Sequence, residues 1–330
     1  MIATDEVLGK KTPEVLYHYT SFAGLKGIVE QQHIWATDIR FLNDFREFKH
    51  GLEVAKTFIA TYPKEKIGGA EGAEALTTLF SNWTLNDAFT GKSAQICVTS
   101  FSENEDVLSQ WRGYCPNGRG VCIGFRPSTF NRHISNKTMS TLTPCVYDSA
   151  DQRLIVEKAI SRLLDALGTP LHKNQTDGIL NSYLEEFKTV TDDERKNTAD
   201  RFLTNLQNLI VNRINEASLV SAQSLFQVCA LLKDNSFAEE KEWRLVVPAF
   251  STRKKFGDLE WHFRATNSML IPYIPLTLLD FASSCLNFES IIVGPSPDRD
   301  LAIRSIERFL TAEGVYCNEV RPSEIPYKNW

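Results

Sequence analysis

Apolar residues recur along this chain either at every second position or at every third to fourth, and the switches between the two periods mark its elements. VLYHY at 15–19 reads as a strand. Ser21 follows as the cap of a helix whose apolar positions Phe22, Leu25, Ile28 and Val29 keep helical spacing. An extended piece around Ile34 and Trp35 leads through FLNDFRE into a second helix with Phe45, Phe48, Leu52, Ala55 and Ile59 on one stripe. Gly68 to Gly72 marks a loop, a helix is expected through Leu76 to Trp83, and QICVTSF at 95–101 reads as a strand. Residues 104–114 read as a helix, Asn117 with Gly118 as a turn, and VCIGF at 121–125 as a strand. From about 150 to 233 the chain changes to long polar, leucine-bearing helical stretches such as RLIVEKAISRLLDAL, expected to form a helical insertion or lobe. Strands resume with EWRLVVP (242–248), WHFRA (261–265) and SIIVGP (290–295). A helix from about Asp298 to Leu310 and a last strand near Val315 to Val320 complete the series.

Strands and helices in this order imply an α+β chain, taken as one domain over 1–330 with residues 150–233 inserted in it, although 330 residues also suffice for two domains. Hydrophobic content of 42% and charged content of 23% are those of an ordinary globular protein. A net charge of −5 supplies no overall field for nucleic acid or an acidic membrane. The local run of Arg112, Arg119, Arg126, Arg132 and Lys137 reads as a sign-mixed, solvated surface. Seven cysteines without CxxC spacing suggest neither a disulfide framework nor a zinc ribbon, and point to a reducing, cytoplasmic setting. No apolar run approaches the roughly 20 residues that span a bilayer, so no membrane partner is expected.

Within FAEEKEWRLVV, Glu240, Glu242 and Arg244 are spaced by two, which in a strand directs all three to one face. They make either a site or an ordinary charged strand entrance. His18, with Tyr19 and Thr20, sits between a strand and a helix N-terminus, where backbone donors suit a ribose or phosphate; the ordinary alternative is a histidine satisfied at a core edge. Asn43 and Glu47 lie one turn apart, while Asp44 with Glu47 has the pattern of a capping box. Ser100 and Ser102 at a strand end, beside Trp111 and Tyr114 on a helix, could hold a flat ring, or serve as cap and core. Phosphate-loop, HExxH and GxSxG motifs are absent, and no metal-ligand spacing is evident.

The ordered strings LYHYTS, FLNDFRE, SFSENEDVLSQWRGYCPNGRGVCIGF, CVYD, LLKDNSFAEEKEWRLV, FRATNSMLIPYIPL, IIVGPS and PSEIPY resemble a bacterial family known only as a domain of unknown function. That layout is similar in turn to the ADP-ribosyltransferase superfamily, which implies a mixed, mostly antiparallel sheet core and NAD as substrate. By this resemblance His18 would hydrogen-bond the adenosine-side ribose of NAD with Thr20 in support. Ser100 or Ser102 and Tyr114 would line a nicotinamide pocket, and Glu242, or Glu240, would be the late catalytic carboxylate.

The implied activity is cleavage of the nicotinamide glycosidic bond with modification of a macromolecule, protein or nucleic acid, as in a bacterial toxin or phage-defence effector. Two alternatives stand beside it: a metal-assisted nuclease or phosphohydrolase using Asp44, Glu47, Glu240 and Glu242, and a non-catalytic sensing or interaction module in which Glu240, Glu242 and Arg244 form only a salt-bridge cluster.

Overall fold

A computed structural model describes residues 7–42, 45–61, 63, 95–115, 119–131, 133–134, 140–167, 185, 224–249, 260–279 and 285–326. β1 (Leu16–Thr20) runs into α1 (Phe22–Gln31), whose start is held by the Ser21 hydroxyl accepting from the Gly24 amide. β2 (His33–Asp38), α2 (Phe45–Thr61) and β3 (Gln95–Ser102) follow, then α3 (Leu108–Tyr114), β4 (Val121–Phe125), β5 (Thr141–Pro144) and α4 (Ser149–Leu167). Residues 224–229 are helical, and the chain then forms β6 (Glu242–Ala249), β7 (His262–Ala265), β8 (Leu270–Thr277), β9 (Asn287–Phe288) and β10 (Ser290–Val293). α5 (Arg299–Glu313), β11 (Tyr316–Cys317) and β12 (Val320–Pro322) close the series.

The expected α+β architecture is present. Among the described residues ten strands form one mixed sheet, antiparallel except for β10 with β12, and β9 and β11 make a separate parallel pair. β3 is its organiser. One edge of β3 pairs with β6 along its whole length, from Gln95 opposite Ala249 to Ser102 opposite Glu242. The other edge is shared: β2 takes Cys97 and Val98, while β1 takes Ser102. The sheet therefore forks at β3, one arm running β1-β4-β10-β12 and the other β2-β8-β7.

Alternation along the strands sorts side chains into cores on the two faces. Phe101, Trp243, Leu245, Ile123 and Phe125 join Leu25, Ile28 and Val29 of α1 and Ile306 and Leu310 of α5. On the other face Ile96, Val98 and Val246 meet Phe48, Leu52, Ala55 and Ile59 of α2 and Ile155, Val156, Ala159 and Ile160 of α4. Tyr19, Trp111, Cys115, Cys122 and Ile292 form a third cluster under α3. No helix among the described residues is long and apolar enough to cross a membrane.

Some sequence expectations shift. The helix expected from 104 begins only at Leu108, because the Tyr19 hydroxyl accepts the Val107 amide and Asp106 is drawn to the Trp111 indole N–H and to Ser323 near the C-terminus. The last strand divides, with Tyr316–Cys317 pairing β9 and Val320–Pro322 pairing β10. β8 was not foreseen, since Pro272 and Pro275 argue against an interior strand. β7 pairs only residues 270–273 of it and β2 only residues 273–277, so each proline has a neighbouring strand on one side alone. The expected loop at 68–72, the helix at 76–83, the turn at 117–118 and most of the 150–233 insertion lie outside the described residues.

Candidate functional site

At the fork, β3 has no strand neighbour on its shared edge between Val98, opposite Thr37, and Ser102, opposite Tyr17. The imidazole of His18 occupies that gap. Its Nδ1 lies 2.9 Å from the Ser100 carbonyl oxygen, and because a carbonyl only accepts, Nδ1 carries the proton and Nε2 is an acceptor. Burial pushes the His18 pKa below its ordinary 6.5, against the opposing pull of the Ser100 carbonyl, so the ring is neutral at pH 7.

Strand register sets the faces. Paired residues share a face, so Ser100, Ser102, Glu242, Arg244, Tyr17 and Tyr19 lie on one side, and His18 belongs with Phe101 on the other, their rings 5.8 Å apart. The missing strand pairing brings the two sides to one cleft. β1 contributes Tyr17, His18 and Tyr19, and β3 contributes Ser100 and Phe101. Gln110 and Tyr114 of α3, with Glu240 and Glu242, complete the lining. The space within has room for about three waters.

The acidic end is a buried ion cluster. Both oxygens of Glu242 are engaged: Oε1 by Arg244 Nε at 2.7 Å, and Oε2 by Lys233 Nζ at 2.7 Å and Arg244 Nη2 at 3.1 Å. Lys233, with 0% exposure, also donates to Glu240 Oε2 at 2.6 Å, and the Phe237 ring lies 5.1 Å from its ammonium. Arg244 Nη1 donates to the Ala230 carbonyl, and the Glu242 amide donates to the Tyr147 hydroxyl at 2.9 Å. Burial alone would raise the Glu242 pKa; the Arg244 and Lys233 charges and their hydrogen bonds outweigh it and hold the carboxyl at about 2. Burial, followed by the charges of Glu242 and Glu240, pushes the Tyr114 phenol well above its usual range, so it stays protonated and able to donate.

His18, Tyr19, Ser100, Tyr114, Glu240 and Glu242 are thus brought together, with Arg244 directly behind Glu242. Ser102 is not part of the lining. Its buried hydroxyl donates to the Glu240 carbonyl at 2.8 Å and accepts from the Asn104 amide, fastening the turn before β6 to the end of β3. Trp111 is core, edge-on to Tyr19 at 4.9 Å, and Thr20 lies away from the cleft with its hydroxyl over Gly24 of α1. Asn43 and Asp44 lie outside the described residues, as does the side chain of Glu47. Among the described residues no three His, Cys, Asp or Glu side chains gather as metal ligands, and Glu242 spends both its oxygens on cations of the chain itself.

Sequence reasoning missed Lys233, Tyr147 and Gln110. Lys233 carried a signal of a kind, since it ends the apolar run VCALL seven residues before Glu240; the structure pins it through its backbone between Val146 and Gln152. A lysine in that setting also reads as the solvated end of a helix.

Neither a curated protein nor a solved structure matches the chain. Residues 110–245, from within α3 into β6 and so including Tyr114, Lys233, Glu240 and Glu242, match the model of a family described as a protein of unknown function, DUF2971, in keeping with the resemblance read from the sequence.

Proposed function

We propose that the chain is an ADP-ribosyltransferase-like enzyme of the cytoplasm that cleaves the nicotinamide glycosidic bond of NAD and transfers ADP-ribose to a macromolecule. The observation that carries this reading is the meeting of His18, Ser100, Tyr114 and the two glutamates in one cleft at the fork of the sheet. Seven free cysteines accord with a reducing compartment.

The residue types suit the chemistry. The bond between ribose C1′ and the nicotinamide nitrogen breaks, its electron pair neutralises the pyridinium, and an acceptor nucleophile or water adds to C1′ and gives up its proton. Positive charge builds on the ribose in the transition state, and a carboxylate at the cleft end stabilises it, as in glycoside hydrolysis. The neutral His18 offers an acceptor for a ribose hydroxyl, while Tyr114 keeps a hydroxyl to donate.

Purified protein incubated with NAD should release nicotinamide, measured chromatographically, and His18→Gln, which keeps a donor for the Ser100 carbonyl, should lose that activity while retaining most of the wild-type thermal stability. Absence of both nicotinamide release and NAD binding by calorimetry, with Glu240→Gln and Glu242→Gln indistinguishable from wild type, would sink the proposal. One observation favours a second reading, a non-catalytic module. Both oxygens of Glu242 are occupied as in a structural ion cluster, so under that reading the glutamate substitutions change stability and leave partner binding intact.

A further inference from the structure

The geometry points to a division of labour between the paired glutamates: Glu240 is the carboxylate presented to the substrate, Glu242 is the buried anchor behind it, and Lys233 is the positioning residue that joins them. This deepens the reading above and rests on it for its activity measurements alone.

Glu242 is the first residue of β6, its side chain 5% exposed and its two oxygens held by Arg244 and Lys233. A carboxylate bound by two cations has little field left for a cationic transition state, and turning it toward a substrate would strand a buried guanidinium and ammonium. Glu240 differs in place. It ends the 3₁₀ turn Asn235–Glu240, and of the two glutamates that line the cleft with Tyr114 and His18 its side chain is the more open, 16% exposed against 5%. That turn is fastened twice to the end of β3, by Ser102 Oγ on the Glu240 carbonyl and by the Glu103 amide on the Lys241 carbonyl. Lys241 is held at φ 42°, a left-handed conformation that is unfavourable for a non-glycine residue and marks a backbone constrained by its surroundings.

Lys233 supplies the link. Its ammonium, wholly buried, stands 2.6 Å from Glu240 Oε2 and 2.7 Å from Glu242 Oε2, so one cation allows two neighbouring carboxylates to remain ionised together. Its own position is set by backbone, through its amide on the Val146 carbonyl and Gln152 on its carbonyl oxygen at 2.7 Å.

The test has two independent arms. Wild-type protein is treated with a water-soluble carbodiimide and an amine, then digested after Lys241 so that the two glutamates fall on different peptides. Mass spectrometry should find Glu240 modified and Glu242 protected, an outcome that does not depend on NAD. In the second arm Glu240→Gln should lower kcat for nicotinamide release by about 100-fold or more at unchanged KM and thermal midpoint. Lys233→Met should lower the rate and move the acid limb of its pH profile upward, with substantial recovery in Lys233→Arg. Modification of Glu242 ahead of Glu240 overturns the assignment. So does a Glu242→Gln protein that keeps the wild-type thermal midpoint but is inert while Glu240→Gln turns over normally. A wild type that neither binds nor cleaves NAD defeats the proposed function, and the labelling pattern still decides the roles of the two glutamates.

Discussion

Replacing Glu242 with glutamine should remove a defined part of the acid sensitivity of folding. The native carboxyl is held at about 2 against an ordinary 4.5, because Arg244 and Lys233 outweigh its burial. A difference of about 2.5 units corresponds to ~3 kcal/mol of differential stabilisation of the ionised form. The folded pKa is depressed, so the unfolded chain binds the proton more readily between pH 4.5 and 2. The contribution is therefore complete above about pH 4.5 and is lost as pH falls through about 2. Urea unfolding of wild type and Glu242→Gln at intervals from pH 6 to pH 2.5, with the same osmolyte present throughout, isolates this group because the other carboxylates titrate in both proteins. At pH 6 the variant should be about 3–5 kcal/mol less stable, the usual result of removing one partner from a buried ion pair. That deficit should shrink by ~2–3 kcal/mol toward pH 2.5. A deficit constant to within about 0.5 kcal/mol across the range would refute the electrostatic account of the cluster.

Three further outcomes follow from the packing. Gly51→Ala should lower stability by ~2 kcal/mol or more, read as a fall of several degrees in thermal midpoint, because the new Cβ would stand 2.0 Å from the Cys229 carbonyl oxygen, with backbone on both sides and nothing flexible to yield. Ser102→Ala should lose about 1–3 kcal/mol in urea unfolding by orphaning a buried carbonyl and amide, whereas Ser100→Ala, at the cleft surface, should stay within about 0.5 kcal/mol of wild type. Nitrogen-detected NMR of His18 should show the Nδ1-protonated tautomer with a midpoint below 6.5; an imidazolium persisting above that pH would contradict the buried, neutral ring.

The parts of the fold that were legible are those where one local rule decides. VCIGF reads as a strand and is one at Val121–Phe125, buried on both faces, and Ser21 reads as a helix cap and accepts the Gly24 amide. The parts that were not legible depend on neighbours. Pro272 and Pro275 are tolerated in β8 because each lacks a strand on one side, a property of the sheet and not of the segment. Lys233 looks like the solvated end of VCALLK, and its burial between Glu240 and Glu242 appears only once residues 230–233 pair with the stretch after β5. Among the candidate site residues, Glu240 and Glu242 were singled out by a two-residue spacing that placed both on one strand face; only Glu242 and Arg244 lie in β6, whereas Glu240 ends the 3₁₀ turn Asn235–Glu240 and reaches the cleft from there. Trp111 was read correctly only in its ordinary role, as core, whereas Ser102 caps no helix, since α3 begins at Leu108 without a side-chain cap, and fastens the turn before β6 instead.

The placement of His18 carries the broader lesson about how this sheet makes a site. Alternation puts His18 and Glu242 on opposite faces, which in a continuous sheet would separate a strand-borne imidazole from the carboxylate by the thickness of the backbone. β3 has only two edges, and three strands claim them. β6 takes one edge entirely, so β1 and β2 must divide the other and leave Thr99 to Phe101 without a strand partner there. Buried backbone groups in such a gap need other partners, and side chains supply one: His18 Nδ1 donates to the Ser100 carbonyl. The same hydrogen bond that satisfies the broken ladder fixes the imidazole tautomer and holds the ring in the opening between the two arms. Structural repair and site formation are here one interaction, so loss of the His18 ring should loosen the fork as well as empty the cleft, and His18→Gln, which can still donate to that carbonyl, should restore stability ahead of function.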